Sequence, residues 1–419
     1  MTANELSAST PSPPDRRAAL EAAFAHCRAG TYALFADLDE DEFRRQPHPD
    51  FSPAGWHLGH IAYTEAVWLA GHGAGEALLA PRWKRVFDVD GLPRHQRAEN
   101  LPAKAAVVGY AEEIRERTLN YLAIAPLAEE ERVWRFVLQH EAQHGETITF
   151  LRTLMGDTPV VGAGGAAPSP EIEFVEIPAG ACSIGSDGLD AIDNERPRHE
   201  IIIPDFSISR HPVTQGQFAR FIEAGGYGDR RYWSKAGWRW REHAGIAKPL
   251  YWRDGCLDHP VSGVGAHEAE AFCRFAGARL PSEAEWEKAA SWNPDTGSAS
   301  AFPWGDALPG PGLANCDRAR RGTTPVDRHP AGRGRYGAED MMGNVWEWTS
   351  SIFAPYLGFE AWPYEGYSKI YFDGRHRVLR GGSWASRPWA MRASFRNWYV
   401  PETRQILAGF RLARDGLKS

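Results

Sequence analysis

Residues 140–146 read His-Glu-Ala-Gln-His-Gly-Glu. On an α-helix His140 and His144 stand at i and i+4, so both imidazoles project from one face and can grip one ion. The same stretch contains H-E-x-x-H, the zinc-peptidase helix in which Glu141 would be the general base. That chemistry needs a third ligand, and the extended motif requires Gly and His where this chain has Thr147 and Phe150. A glutamate ligand further along is equally hard to place, because the helix ends near Gly156. Glu146 lies about 200° further round the helix than His144 and points away from the same ion. The third ligand must therefore come from another helix. In "WHLGHIAYTE" His57 and His60 stand at i and i+3 and share a face. A single helical histidine is most often a solvated or satisfied side chain, but two helices with paired histidines favour a metal site. Three imidazoles without a carboxylate suit Zn(II) or Fe(II), and spacing leaves that choice open. Three facial ligands on an octahedral iron would leave three positions, enough for two substrates and dioxygen.

The elements that must position these residues can be read from periodicity. Residues 15–155 contain four segments with apolar residues at three-four spacing: "DRRAALEAAFAHCRAGTYALFADL", "GWHLGHIAYTEAVWLAGHG", "AAVVGYAEEIRERTLNYLA" and "EEERVWRFVLQHEAQHGETITFLRTLM". They predict a four-helix bundle, whose core is a usual place for metals held by facing helices. Residues 156–171, "GDTPVVGAGGAAPSPE", read as a linker, and residues 1–14 as a disordered tail. From Ile172 to Ser419 short alternating runs ("IEFVEIPAG", "HEIIIPDFSISRHPV") accompany one helix pair ("TQGQFARFIEAGG" and "GAHEAEAFCRFAGARLPSEAEWEKAAS") and long Gly/Trp-rich loops. This pattern predicts an α+β domain with much irregular structure. The 17 tryptophans suit such a domain, in which large aromatics fill space that helices would otherwise fill.

Composition narrows the classes of function. The 419 residues are 43% hydrophobic and 24% charged, enough for a large core and more than one domain. A net charge of −7 gives no footprint for nucleic acid or an anionic membrane. No apolar run approaches the roughly 18 to 20 residues needed to span a bilayer, and the N-terminus has no signal-peptide pattern. Five scattered cysteines, none in a C-x-x-C pair, speak against a disulfide framework and for a reducing cytoplasm.

The second domain carries a specific resemblance. "FVEIPAGACSIGS", "NERPRHEIIIPDFSISRHPVTQGQFARFI", "HPVSGVGAHEAEAFCRFAGARLPSEAEWEKAA", "GAEDMMGNVWEWTSS" and "RVLRGGSWA" resemble, in order, the formylglycine-generating-enzyme (sulfatase-modifying-factor) domain, which has a C-type-lectin-like fold. The formylglycine enzymes bind copper through a cysteine pair after R-G-G-S; here "GGSWASRPWAMRASFRNW" has no cysteine, which argues against that activity. A DinB-like four-helix bundle with W-x-x-x-H-I and H-x-x-x-H-x-E, fused to this domain, resembles the ergothioneine-type sulfoxide synthases. Those are non-haem Fe(II) enzymes that use O2 to join a sulfur donor to C2 of the imidazole of hercynine, N-α-trimethylhistidine.

The resemblance implies roles for individual residues. The iron ligands map onto His60, His140 and His144, at the junction of the two domains, with His57 beside them and Glu146 bracing the bundle. A carboxylate-binding R-x-x-R stretch maps onto Arg94 and Arg97, although the spacing to Leu101-Pro102 is one residue longer. A Y-x-x-Y pair that supplies a proton to reduced oxygen maps onto Tyr364 and Tyr367. The hercynine pocket maps onto Asn397 and Trp398, followed by Tyr399 where many relatives carry an acidic residue. An aromatic face can hold a quaternary ammonium by cation–π attraction. "FSPAGWHLGHIAYTEAVWLA" and "FRNWYVPETRQILAGFR" look most like the selenoneine-synthase branch, which couples a selenosugar to hercynine. The resemblance thus implies Fe(II), O2, hercynine and a selenosugar or thiol. The alternatives are an ergothioneine sulfoxide synthase using γ-glutamylcysteine or cysteine, and a non-catalytic binding module with a structural metal.

Overall fold

The computed structural model describes residues 13–71, 80–157 and 168–416. Most of the expected tail and most of the expected linker lie outside these residues. The chain divides into two compact units, Met1–Leu151 and Arg152–Ser419.

The first unit is built on four long helices at the four periodic segments: α1 (Pro13–Ala33), α3 (Ala54–Glu65), α6 (Lys104–Leu122) and α7 (Leu127–Leu154). The connections hold three short helices, α2 (Glu40–Arg44), α4 (Pro81–Phe87) and α5 (Arg94–Asn100). Each is too short to show an apolar period, and periodicity missed all three. Asp39 and Glu42 form a reciprocal capping box that starts α2, and Pro81 starts α4 where its missing N–H costs nothing. Helix α3 is buried along its whole length and continues through one π turn, Ala66–Ala70.

Two glycines let aromatic rings lie against the α3 backbone. A Cβ at Gly55 would sit 2.3 Å from the Phe43 ring, and one at Gly59 would sit 2.1 Å from Phe87. Glycine at these i and i+4 positions therefore seats α2 and α4 on α3, and the seat of α4 bears directly on His60.

The centre of the bundle is charged as well as apolar. Each long helix contributes one member to a buried charged quartet: Arg28 from α1, Glu65 from α3, Arg115 from α6 and Glu141 from α7. Arg28 donates to Glu141 at 2.8 Å and to Glu65 at 2.8 Å, and Arg115 donates to Glu65 at 2.8 Å and to Glu141 at 2.7 Å. The remaining guanidinium donors reach the carbonyls of Ala111 and Phe24. A closed, hydrogen-bonded quartet is the arrangement in which buried charge is tolerated, and it holds all four helices in one register.

In the second unit β1 (Phe174–Ile177), β4 (Phe206–Ser209) and β11 (Ala413–Asp415) form a three-stranded sheet in the order β1-β4-β11. Strands β2 (Gly180–Ile184) and β3 (His199–Ile203) pair as a ribbon, as do the two-residue strands β5 (Trp292–Asn293) and β6 (Ser298–Ala299). The main sheet runs β10-β7-β8-β9, with β7 (Trp346–Ile352), β8 (Arg377–Arg380), β9 (Asn397–Tyr399) and β10 (Ala408–Phe410); β10 and β7 are parallel. Helices α8 (Gln215–Glu223), α9 (Lys235–Ala244), α10 (Ala266–Phe275) and α11 (Glu283–Ser291) complete the unit. The expected helix pair is thus corrected: its second member is two helices, α10 and α11. Gly277, at positive φ, ends the first, and the Ser282/Glu285 capping box restarts the chain after Pro281. Helix α9 was not foreseen.

Candidate metal centre

His57 and His60 sit on α3, and His140 and His144 sit one turn apart on α7. One ligand atom from each of His60, His140 and His144 can be chosen so that all three lie within 4.8 Å of one another. The three rings are 4.4 to 5.0 Å apart, centroid to centroid.

Hydrogen bonds decide which nitrogen each ring offers. His60 Nδ1 lies 2.7 Å from the carbonyl of Phe87. A carbonyl only accepts, so Nδ1 carries the proton and Nε2 is the free lone pair. His144 Nδ1 lies 2.8 Å from His57 Nδ1, and His144 Nε2 lies 3.1 Å from His140 Nε2. When His144 donates through Nδ1 to His57, its Nε2 lone pair faces that of His140. His140 Nδ1 is buried without a hydrogen-bond partner. Three Nε2 lone pairs can therefore converge.

Electrostatics keeps these rings neutral. Burial pushes His60 down to about 4, against the opposing bond to Phe87. Burial, with neighbouring imidazoles adding to it, holds His57, His140 and His144 well below the ordinary histidine value. Neutral imidazoles are the form that binds metal. His60 is also clamped from the side. Trp56 stacks on it at 4.6 Å with 12° between planes, and the Arg97 guanidinium lies 3.9 Å from the Trp56 ring.

Glu141, the would-be peptidase base, belongs to the charged quartet instead. Burial alone would raise its carboxyl, but Arg28 and Arg115 overcome this and hold it well below the usual carboxylate range. A carboxylate tied to two guanidinium groups is a poor proton acceptor, which removes the peptidase reading on chemical grounds.

In the second unit Tyr364, Tyr367 and Trp398 come together. Tyr367 is buried and meets Trp398 edge to face at 6.1 Å, and Tyr364 lies 6.2 Å from Tyr367. Phe353 stacks on Trp398 at 4.5 Å, and Tyr371 tilts against it at 5.5 Å. Strand β9 carries Asn397, Trp398 and Tyr399, which pair with Leu379, Val378 and Arg377 of β8.

The amino-acid relationships agree with this division. Residues 163–416 match the family model for the sulfatase-modifying factor enzyme 1-like domain, and residues 23–148 match that for the DinB superfamily. The chain is 41% identical over 408 residues to the hercynine oxygenase of Mycolicibacterium smegmatis, an alignment covering 90% of this chain and 95% of that protein. It is 40% identical over 414 residues to the hercynine oxygenase of Mycobacterium tuberculosis, covering 93% and 97%. The formylglycine-generating enzyme of Mycobacterium tuberculosis is 33% identical over 236 residues, covering 44% of this chain and 75% of that enzyme. The chain belongs to the hercynine oxygenase family.

This is the family that the domain pairing and motifs implied. Of the two arginines matched to the family's R-x-x-R stretch, Arg94 is exposed. Arg97 is buried and donates to the carbonyls of Leu92 and Val89 and to Ser52 Oγ, at 2.7 to 3.0 Å. Glu146 is buried on α7.

Several residues that shape these sites escaped the sequence reading. Phe87 acts through its carbonyl, which leaves no side-chain signature. Arg396 is fully buried, bonded to Glu283 at 2.8 Å and to the carbonyl of Asn194 at 2.8 Å, and lies over Phe353 and Tyr356. It anchors the chain immediately before Asn397. The sequence offers no signal for it beyond an arginine between Phe395 and Asn397, just before the short strand β9.

Proposed function

We propose that this protein is a non-haem Fe(II), O2-dependent enzyme that couples a selenium or sulfur donor to C2 of the hercynine imidazole, with a selenosugar as favoured donor. The observation that carries the reading is the convergence of His60 and His140, both buried, with the half-buried His144, all three neutral, in a family whose relatives are named hercynine oxygenase.

The residues fit an iron. The donor set is three imidazoles, His60 has its Nδ1 proton fixed outward, and the inward nitrogens of His140 and His144 lie 3.1 Å apart with no carboxylate among them. Fe(II) bound there would supply O2 activation and the electron transfer of the coupling.

For a thiol the reaction balances as hercynine C2–H plus RS–H plus O2 giving C2–S(O)–R and water; a selenol gives the selenoxide. The imidazole C–H and the chalcogen–hydrogen bond break, the carbon–chalcogen bond forms, and O2 is reduced by four electrons. The chain's own residues bind and move protons. Asn397, Trp398 and Tyr399 bind hercynine, with Trp398 and Tyr399 presenting aromatic surface to the trimethylammonium, an attraction of about 0.5 to 2 kcal/mol. Tyr364 or Tyr367 delivers a proton to the reduced oxygen. Arg94, which is exposed, meets the carboxylate of a donor that carries one, while Arg97, bonded to Leu92, Val89 and Ser52, holds the Trp56 ring beside His60.

The selenosugar is favoured by the resemblance of "FSPAGWHLGHIAYTEAVWLA" and "FRNWYVPETRQILAGFR" to selenoneine synthases. Exposed Arg94 favours the second reading, a carboxylated thiol such as γ-glutamylcysteine or cysteine. Calorimetric titration of hercynine into the iron-loaded protein tests the substrate assignment. Binding should be measurable and weaken roughly 3- to 30-fold in Trp398→Leu; the absence of hercynine binding to the unaltered protein would refute it.

A further inference from the structure

We propose that the buried turn Asp193-Asn194-Glu195 is a positioning device that registers the tyrosine loop, Trp362–Ser368, against the strand carrying Asn397 and Trp398. The inference rests on the reading that Tyr367 or Tyr364 serves a substrate held at Trp398.

Asp193, Asn194 and Glu195 form a single 3-10 turn, and all three are fully buried. In one direction the turn grips the tyrosine loop at both ends. Asp193 Oδ2 accepts from the backbone N–H of Trp362 at 3.4 Å, and its Oδ1 accepts from Ser368 Oγ at 2.5 Å. Asn194 Nδ2 adds a second bond to Ser368 Oγ at 2.9 Å. Ser368 is itself fully buried and directly follows Tyr367. One carboxylate thus brackets the segment that carries Tyr364 and Tyr367.

In the other direction the same turn holds the approach to β9. The carbonyl of Asn194 accepts from Arg396 at 2.8 Å. The Glu195 carboxylate accepts from Ser394 Oγ at 2.6 Å and from Arg392 Nε at 2.7 Å. The Tyr367 phenol also acts electrostatically on Arg392. The two gripped segments, near residues 362–368 and 392–396, share only this turn as a common buried polar partner in the bonds just named.

Such a device is what this site needs. The Trp362–Ser368 loop has no helix or strand of its own; the Tyr367 N–H reaches the carbonyl of Tyr364 at 3.3 Å, a local turn that does not by itself fix where the loop sits against β9. A proton donor works only when held to within a fraction of an ångström of its target, which requires supporting bonds on a rigid element. The turn provides them, and it leaves Asn194 Oδ1 buried without a partner. An unmet acceptor inside a protein is a cost usually borne where position matters more than stability.

The test compares Ser368→Ala with the unaltered full-length protein, using Ser368→Cys, which nearly preserves volume, should the alanine variant fail to fold. Two readouts are taken. The first is amide hydrogen exchange over residues 362–372, independent of any substrate. The second is turnover of the iron-loaded protein with hercynine, as kcat, KM and the solvent deuterium isotope effect on kcat. The expected result is faster exchange in 362–372, kcat lowered roughly 10- to 100-fold with hercynine KM within about twofold, and a larger isotope effect because proton delivery has become limiting. Asp193→Asn, which keeps an acceptor for Ser368, should retain more kcat than Ser368→Ala.

Unchanged exchange in the loop, or unchanged kcat and isotope effect, would overturn the inference. If the unaltered protein couples no donor to hercynine, the functional reading fails, and the exchange measurement still decides whether the turn holds the loop.

Discussion

His60 Nδ1 donates to the carbonyl of Phe87 at 2.7 Å, and this one contact leaves Nε2 as the nitrogen His60 can offer to a metal. Phe87 reaches that position because Gly59, one residue before His60, has no Cβ to hold its ring away. The seat of a short helix on a glycine thus sets the tautomer of a candidate ligand.

Gly59→Ala should therefore act on the metal. Its Cβ would lie 2.1 Å from the Phe87 ring, so α4 must move and the His60 bond with it. The expected cost is about 1–3 kcal/mol in stability from overpacking, with iron affinity lowered roughly tenfold. Competition with a chromophoric chelator measures the second quantity, and unchanged affinity would separate the Phe87 contact from the site.

His57→Leu removes the partner of His144 Nδ1 while keeping an apolar side chain of similar reach. His144 then loses the bond that turns its Nε2 inward. Metal affinity should fall roughly 10- to 100-fold with the fold retained, as read by metal analysis after dialysis and by circular dichroism.

Glu141→Ala tests the quartet against the peptidase motif. Removing one carboxylate leaves Arg28 and Arg115 with only Glu65 between them in the bundle core. Urea unfolding should show a loss of about 3–5 kcal/mol. A variant as stable as the parent would mean that the four charges do not hold the helices together.

The metal-free protein should weaken in mild acid. His60 is lowered to about 4 in the folded chain against about 6.5 unfolded, so between these values the unfolded chain binds more protons. Its contribution is complete above about 6.5 and is lost as pH falls toward 4, on the order of 3 kcal/mol for His60 alone. His57, His140 and His144 shift the same way. Denaturant midpoints of metal-free protein from pH 7 down to 5 should fall steadily; a flat profile would contradict a neutral, buried cluster.

The sequence made some of this plain and hid the rest for physical reasons. The i, i+4 pair of His140 and His144 and the i, i+3 pair of His57 and His60 are local, so helical spacing alone put each pair on a common face. Glu141 was ambiguous because its partners, Arg28 and Arg115, lie 113 and 26 positions away and carry no spacing signal. The short helix bearing Phe87 offers a single backbone carbonyl, which no residue pattern announces. In the second unit, alternation marked β1, β3 and β4, but β9 is three residues long and β10 pairs in parallel with β7. Neither leaves a period, and the "FRNWY" strand was placed by resemblance. Among the described residues no helix is long and apolar enough to cross a membrane.

The most direct test of the central claim is turnover in air by the iron-loaded protein with hercynine, offered separately a selenosugar, γ-glutamylcysteine and cysteine, with products read by mass spectrometry. The account predicts a carbon–selenium adduct at hercynine C2 from the selenosugar, in excess of any sulfur adduct. A sulfoxide from a thiol alone would move the donor assignment to the ergothioneine type. No adduct from any donor, with iron bound, would contradict the account and leave a metal-containing binding module in its place.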